Sequence, residues 1–115
     1  MPHTVLVVDD QEVVRDVIRL TLERAGYTVL EASSPSAALD LVRADRPIDL
    51  LVTDVVMPEM DAFDLADRVA CEVPGVRVLY TSGYTDAGAE GPFIQKPFTP
   101  AQLVEKVESV LATVP

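Results

Sequence analysis

Short, nearly continuous apolar runs alternate along this chain with stretches whose apolar residues recur every three or four positions. Val5–Val8, Tyr27–Ala32, Leu50–Thr53, Val76–Thr81 and Phe93–Gln95 have the length and the Val, Leu and aromatic content of strands. Apolar residues at 13, 14, 17, 18 and 22 form the stripe of an amphipathic helix that stops near Gly26. Ser34 and Pro35 supply an N-cap and a first-turn proline for a second helix through Ala37, Ala38, Leu41 and Val42, which the Arg46–Pro47 step ends. Met57–Pro58 puts residues 55–61 in a loop, after which Phe63, Leu65, Ala66 and Val69 restore helical spacing as far as Pro74–Gly75. Thr99, Pro100 and Gln102 make a capping box with proline at its first position, opening a last helix through Leu103, Val104, Val107, Val110 and Leu111. Apolar strands alternating with amphipathic helices predict an α/β fold, one parallel sheet covered on both faces.

Four of the runs end in residues that phosphoryl chemistry uses: Asp9–Asp10, Asp54, Ser82 and Lys96–Pro97. Parallel strands bring their carboxyl ends to one edge, where open α/β sheets bind ligands. Taken singly, each residue has a plainer reading: a polar strand end for the aspartates, a turn for Ser82, solvated surface for Lys96, core for Phe93. Three acids held together repel one another and need a cation. Mg²⁺ suits them, because it takes oxygen ligands and is completed by phosphate oxygens. A carboxylate can also be the nucleophile, forming an aspartyl phosphate. Lys96 and Ser82 would then position and neutralise the transferring group.

Composition narrows the alternatives. The 115 residues suit a single domain spanning 1–115 with no linker and no second domain. The excess of 19 acidic over 9 basic residues gives a net charge of −10, which disfavours nucleic acid and anionic membranes as partners. No run approaches membrane-spanning length, and the amino-terminal apolar stretch is too short for a signal peptide, so a cytoplasmic location is expected. Cys71 is the only cysteine and His3 the only histidine, which argues against disulfides, thiolate zinc and Cys–His catalysis. Cys71 itself is expected to be half-buried in the third helix.

The motifs Val-Val-Asp9-Asp10, Asp54-Val-Val-Met57-Pro58, Ser82-Gly83-Tyr84 and Lys96-Pro97-Phe98, in this order, resemble the receiver domain of bacterial two-component response regulators over the whole chain. The resemblance implies a flavodoxin-like doubly wound sheet of five parallel strands in the order 2-1-3-4-5. It implies that Asp54 is the phosphoacceptor and that Asp9, Asp10, Asp54 and the Val56 backbone carbonyl hold Mg²⁺. It further implies that Lys96 binds the phosphoryl group, that Ser82 and Phe93 form the switch, and that Lys96–Pro97 is cis. The donor would be a histidine kinase or a histidine phosphotransfer protein, and a homodimer is compatible with the family. The segments around Tyr80–Tyr84 and Phe93–Phe98 lean toward receivers of hybrid kinases, with a stand-alone regulator as the other context. A docking patch on the first helix, around Val13, Val14 and Val17, is also expected.

Three departures qualify the resemblance. Ala62 stands where the family usually has glycine, so the loop beside Asp54 is expected to differ in shape. Only fourteen positions separate Ser82 from Lys96, shorter than usual by roughly two helical turns, so the helix between the fourth and fifth strands is expected to be short or absent. Val56 and Tyr84 lack the polar side chains that tune hydrolysis in the family, so a long-lived phosphoryl state is expected. Two other functions stay open from sequence: a pseudo-receiver serving as a docking module, and a Mg²⁺-dependent phosphohydrolase, the latter weakened because no general acid lies two residues beyond Asp54.

Overall fold

The computed structural model describes residues 3–44, 47–82 and 92–112. Five parallel strands, β1 (Thr4–Val8), β2 (Thr28–Ala32), β3 (Leu50–Asp54), β4 (Arg77–Ser82) and β5 (Phe93–Gln95), form one sheet in the order β2-β1-β3-β4-β5. Among the described residues four helices flank it: α1 (Glu12–Arg24), α2 (Pro35–Arg43), α3 (Ala62–Glu72) and α4 (Pro100–Leu111). The predicted flavodoxin-like α/β topology is the one found. The helix question between β4 and β5 falls on residues 83–91, outside the described residues, as does Tyr84.

Strand alternation divides the core between the two faces. Val5, Val7, Leu50, Val52 and Leu79 pack with Ile18 and Leu22 of α1 and with Leu103, Val107 and Val110 of α4. Leu6, Val8, Leu51 and Tyr80 face α2 and α3, meeting Ala38, Leu39, Val42, Leu65, Ala66 and Val69. Both faces of β1 and β3 are therefore buried, which is why their sequences run apolar without polar alternation. Each fully buried leucine contributes about 1.5–3 kcal/mol of transfer free energy, so the strands that carry the site are firmly anchored in the core.

Local chemistry sets the helix ends. Ser34 Oγ accepts from Ala37 N, and the Thr99–Gln102 capping box is complete, with both reciprocal bonds present. Gly26 adopts φ +98° just beyond α1, a left-handed geometry that glycine allows without a Cβ clash. Ala62 is the buried first residue of α3, capped by Asp61, so it takes helical backbone and escapes the strain its sequence position suggested. The positive φ of that loop lies instead at Glu59, +78°. Its carboxylate Oε1 accepts from Ser36 Oγ (3.0 Å) and Ser36 N (3.4 Å) at the amino terminus of α2, where the helix dipole favours an anion. Cys71 is exposed rather than half-buried. The inward stripe of α3 runs through Ala62, Leu65, Ala66 and Val69, and Cys71 sits about 200° around the helix from Val69. Among the described residues no helix is long and apolar enough to cross a membrane.

Candidate functional site

Register places the candidate residues. Val8 pairs with Thr53, Asp54 with Thr81, and Ser82 with Gln95, so β1, β3, β4 and β5 end at a common carboxyl edge. Asp9, Asp10 and Asp54 each offer a carboxylate oxygen there, and these oxygens lie within 4.8 Å of one another. Asp9 is only 1% exposed, while Asp10 is open to solvent.

Lys96 closes the cluster. Its Nζ donates to Asp54 Oδ2 at 3.1 Å and to Asp9 Oδ2 at 3.3 Å, although 42 and 87 residues separate the partners in sequence. The reach depends on β4: Lys96 N donates to Ser82 O at 2.6 Å, extending the ladder one residue past β5 and bringing the lysine over the acids. The Lys96–Pro97 peptide is cis, as the resemblance implied.

Each acid is oriented by further bonds. Asp54 Oδ1 accepts from Val56 N at 3.2 Å, and Thr53 Oγ1 donates to the Asp54 carbonyl at 3.1 Å. Asp9 Oδ1 accepts from Gln11 N at 2.9 Å, in the turn that leads into α1. The Asp9 backbone is gripped on both sides: its N–H donates to Ala32 O at 3.2 Å, and its carbonyl accepts from an Arg15 guanidinium nitrogen at 2.8 Å. Arg15 Nε in turn lies 3.6 Å from Glu31 Oε1 on β2, and Arg19 Nε lies 3.2 Å from Glu31 Oε2. Sequence reading did not reach Arg15 or Glu31. The available signal was a charged residue on the half-buried side of an amphipathic helix, opposite an acid in an otherwise apolar strand.

Ser82 ends β4 and is buried, and by alternation it belongs with Tyr80 to the face covered by α2 and α3. Phe93 pairs with Tyr80 and packs, partly buried, on that same face. The two residues expected to act together are thus neighbours on one side of the sheet. Val56, in the bend after β3, holds its side chain 61% exposed beside Asp54. On α1, Val13 and Val17 are exposed, and with Val14, Lys96, Pro97 and Phe98 they line an apolar groove of about 250 Å³ next to the acids.

Three carboxylates with no thiolate or imidazole among them form a hard, all-oxygen donor set. That fits Mg²⁺ and does not fit zinc. Without a metal, a single ammonium faces three negative charges, so the cluster retains an unneutralised excess that a divalent cation would relieve.

Fold and site define an open parallel sheet carrying an acid cluster and a lysine at its carboxyl edge. The chain belongs to the response regulator receiver domain family, whose model matches residues 5–108. Receivers of this family are signalling switches of two-component systems. The chain is 38% identical over 120 residues to a chemotaxis protein CheY homolog of Campylobacter jejuni, covering 94% of this chain and 92% of that protein. It is 36% identical over 117 residues to the sensor kinase CckA of Brucella abortus, covering 94% of this chain but 12% of that much longer protein. The crystal structure of the receiver domain from the hybrid histidine kinase CckA superposes with a TM-score of 0.84 at 33% identity, covering 94% of this chain and 98% of that one.

Proposed function

We propose that this chain accepts a phosphoryl group from a phosphohistidine onto Asp54 and changes conformation in response. The observation that carries the reading is the Lys96 ammonium bridging Asp54 and Asp9 at the carboxyl edge, with Asp10 completing the acid cluster. A carboxylate oxygen of Asp54 attacks phosphorus and the P–N bond breaks; the donor ring, protonated on its other nitrogen as a phosphoimidazolium, takes the electron pair of that bond and leaves as neutral imidazole. Asp9, Asp10, Asp54 and the carbonyl of Val56 are the groups that would hold Mg²⁺. When bound, the ion neutralises the acids and draws in phosphoryl oxygens. Lys96 is already within reach of any group attached to Asp54, and supplies positive charge to the peripheral oxygens through a loose transition state. Ser82 donates its hydroxyl to the phosphoryl group, and Phe93, on the same face, follows it. Residues 1–115 act as one domain in this reading.

The donor is a histidine kinase or a histidine phosphotransfer protein. The groove formed by Val13, Val14, Val17 and Phe98 favours an apolar helical partner, because exposed valines at helical spacing seat an amphipathic helix. Mass spectrometry of the intact protein after incubation with a small acyl phosphate tests the proposal. Wild type gains one phosphoryl group only with Mg²⁺, and Asp54→Asn gains none. No gain in a folded wild type would turn the reading to a docking module, and catalytic turnover of a phosphomonoester would turn it to a phosphohydrolase.

A further inference from the structure

Thr81 is the cross-strand partner of Asp54 on β3 and of Ile94 on β5. Paired residues of a parallel sheet project from the same face, and Leu79, two residues earlier, belongs to the layer packed by α1 and α4. Asp54, Thr81 and, two residues beyond Ile94, Lys96 therefore share a face. Ser82 belongs to the other. Thr81 is 1% exposed, and among the described residues its Oγ1 is a buried oxygen with no hydrogen-bond partner. Its backbone carbonyl is engaged, accepting from Val55 N at 3.0 Å.

A hydroxyl buried without a partner destabilises the state that contains it, and valine would fill the same volume at no such cost. The resting site gives this hydroxyl nothing to do, because Asp54 Oδ1 is supplied by Val56 N and Oδ2 by Lys96 Nζ. That balance changes once Asp54 is derivatised. When Oδ1 carries the new group and Lys96 turns toward the added oxygens, Oδ2 is left as the acyl oxygen and loses its donor. We infer that Thr81 is a second hydroxyl of the site, a positioning residue whose O–H is idle at rest and donates to the acyl oxygen of Asp54 when that carboxylate is modified. The two hydroxyls at the end of β4 then serve different atoms: Ser82 the phosphoryl group, Thr81 the carboxyl group that bears it. The inference rests on the reading of Asp54 as the phosphoacceptor.

The test is a calorimetric titration with beryllofluoride, a phosphoryl mimic that adds to carboxylates, at saturating Mg²⁺, alongside thermal melts of the unliganded proteins. Thr81→Val melts higher than wild type at rest, by roughly 4–8 °C. It binds beryllofluoride about 5- to 10-fold more weakly. Thr81→Ser, which keeps the hydroxyl and loses the methyl group, melts lower yet binds the mimic nearly as wild type does, so the effect follows the hydroxyl and not the packing. Equal affinity in wild type and T81V overturns the inference alone. A T81V protein that melts lower at rest overturns it too, since the hydroxyl would already have a partner. A folded wild type that ignores beryllofluoride overturns the phosphoacceptor reading and this inference with it.

Discussion

Lys96 Nζ stands 3.1 Å from Asp54 Oδ2, an ion pair joining the loop after the edge strand β5 to the central strand β3. The pair is shielded, with the Lys96 side chain 21% exposed, so it is worth more than a surface salt bridge and leaves a costly charge behind when broken. Replacing Lys96 by Met removes the only ammonium bonded to the acid cluster among the described residues. The unfolding free energy in urea without Mg²⁺ is expected to fall by about 1–3 kcal/mol. Added Mg²⁺ should recover more stability in the variant than in wild type, because it no longer competes with the lysine. Equal stability of both proteins in metal-free urea would show that the ammonium does not neutralise the cluster.

If Asp54 is the phosphoacceptor, as proposed, Val56 is expected to influence the lifetime of the phosphoryl state. Its side chain is exposed beside Asp54 and offers a water molecule no hydrogen bond. Val56→Asn places an amide there that can orient an attacking water, and the aspartyl phosphate should decay about 10-fold faster. Following loss of the phosphorylated mass with time measures this, and slower decay in the variant would contradict it.

Val17 separates recognition from chemistry. It is half-exposed on α1 and lines the apolar groove beside Phe98, yet it bonds to none of the acids. Val17→Glu should reduce phosphotransfer from a phosphorylated histidine protein by about 10-fold or more. Labelling by a small acyl phosphate should be unchanged. Equal loss in both assays would mean that the substitution damages the site itself.

Tyr27 gives the molecule an alkaline limit. Burial, and next the negative charge of Glu108 on α4, hold its phenol above the ordinary value of 10.0. Above that value the unfolded chain ionises first, so the stability contributed by the neutral, partly buried phenol is complete below pH 10.0 and is lost as pH rises through the folded pKa. Urea midpoints measured upward from about pH 9 should fall more steeply for wild type than for Tyr27→Phe. Parallel curves would refute the assignment.

Much of this molecule was legible in its residue pattern because both faces of its central strands are buried. Such strands read as apolar runs, and their polar ends read as a site. Asp9, Asp10, Asp54 and Lys96 were legible for that reason, and the structure brings all four together. Glu59, Arg15 and Thr81 were not. Glu59 carries the loop's positive φ, although the resemblance had pointed to Ala62, and its carboxylate accepts from Ser36, 23 residues away in sequence. Arg15 matters through a backbone carbonyl, which no residue code displays. Thr81 read as the last residue of an apolar run, and only the strand register sets it beside Asp54.

The Arg15 contact joins two things that the sequence keeps apart. The same helix that exposes Val13 and Val17 on one side extends, on another, a guanidinium that holds the backbone of Asp9 and leans on Glu31 of β2. A partner that seats on α1 therefore grips the handle by which one of the acids is aimed. Any tilt of that helix on docking reaches Asp9 in a single hydrogen bond, so the act of being recognised can tune the readiness of the carboxylates it is about to use.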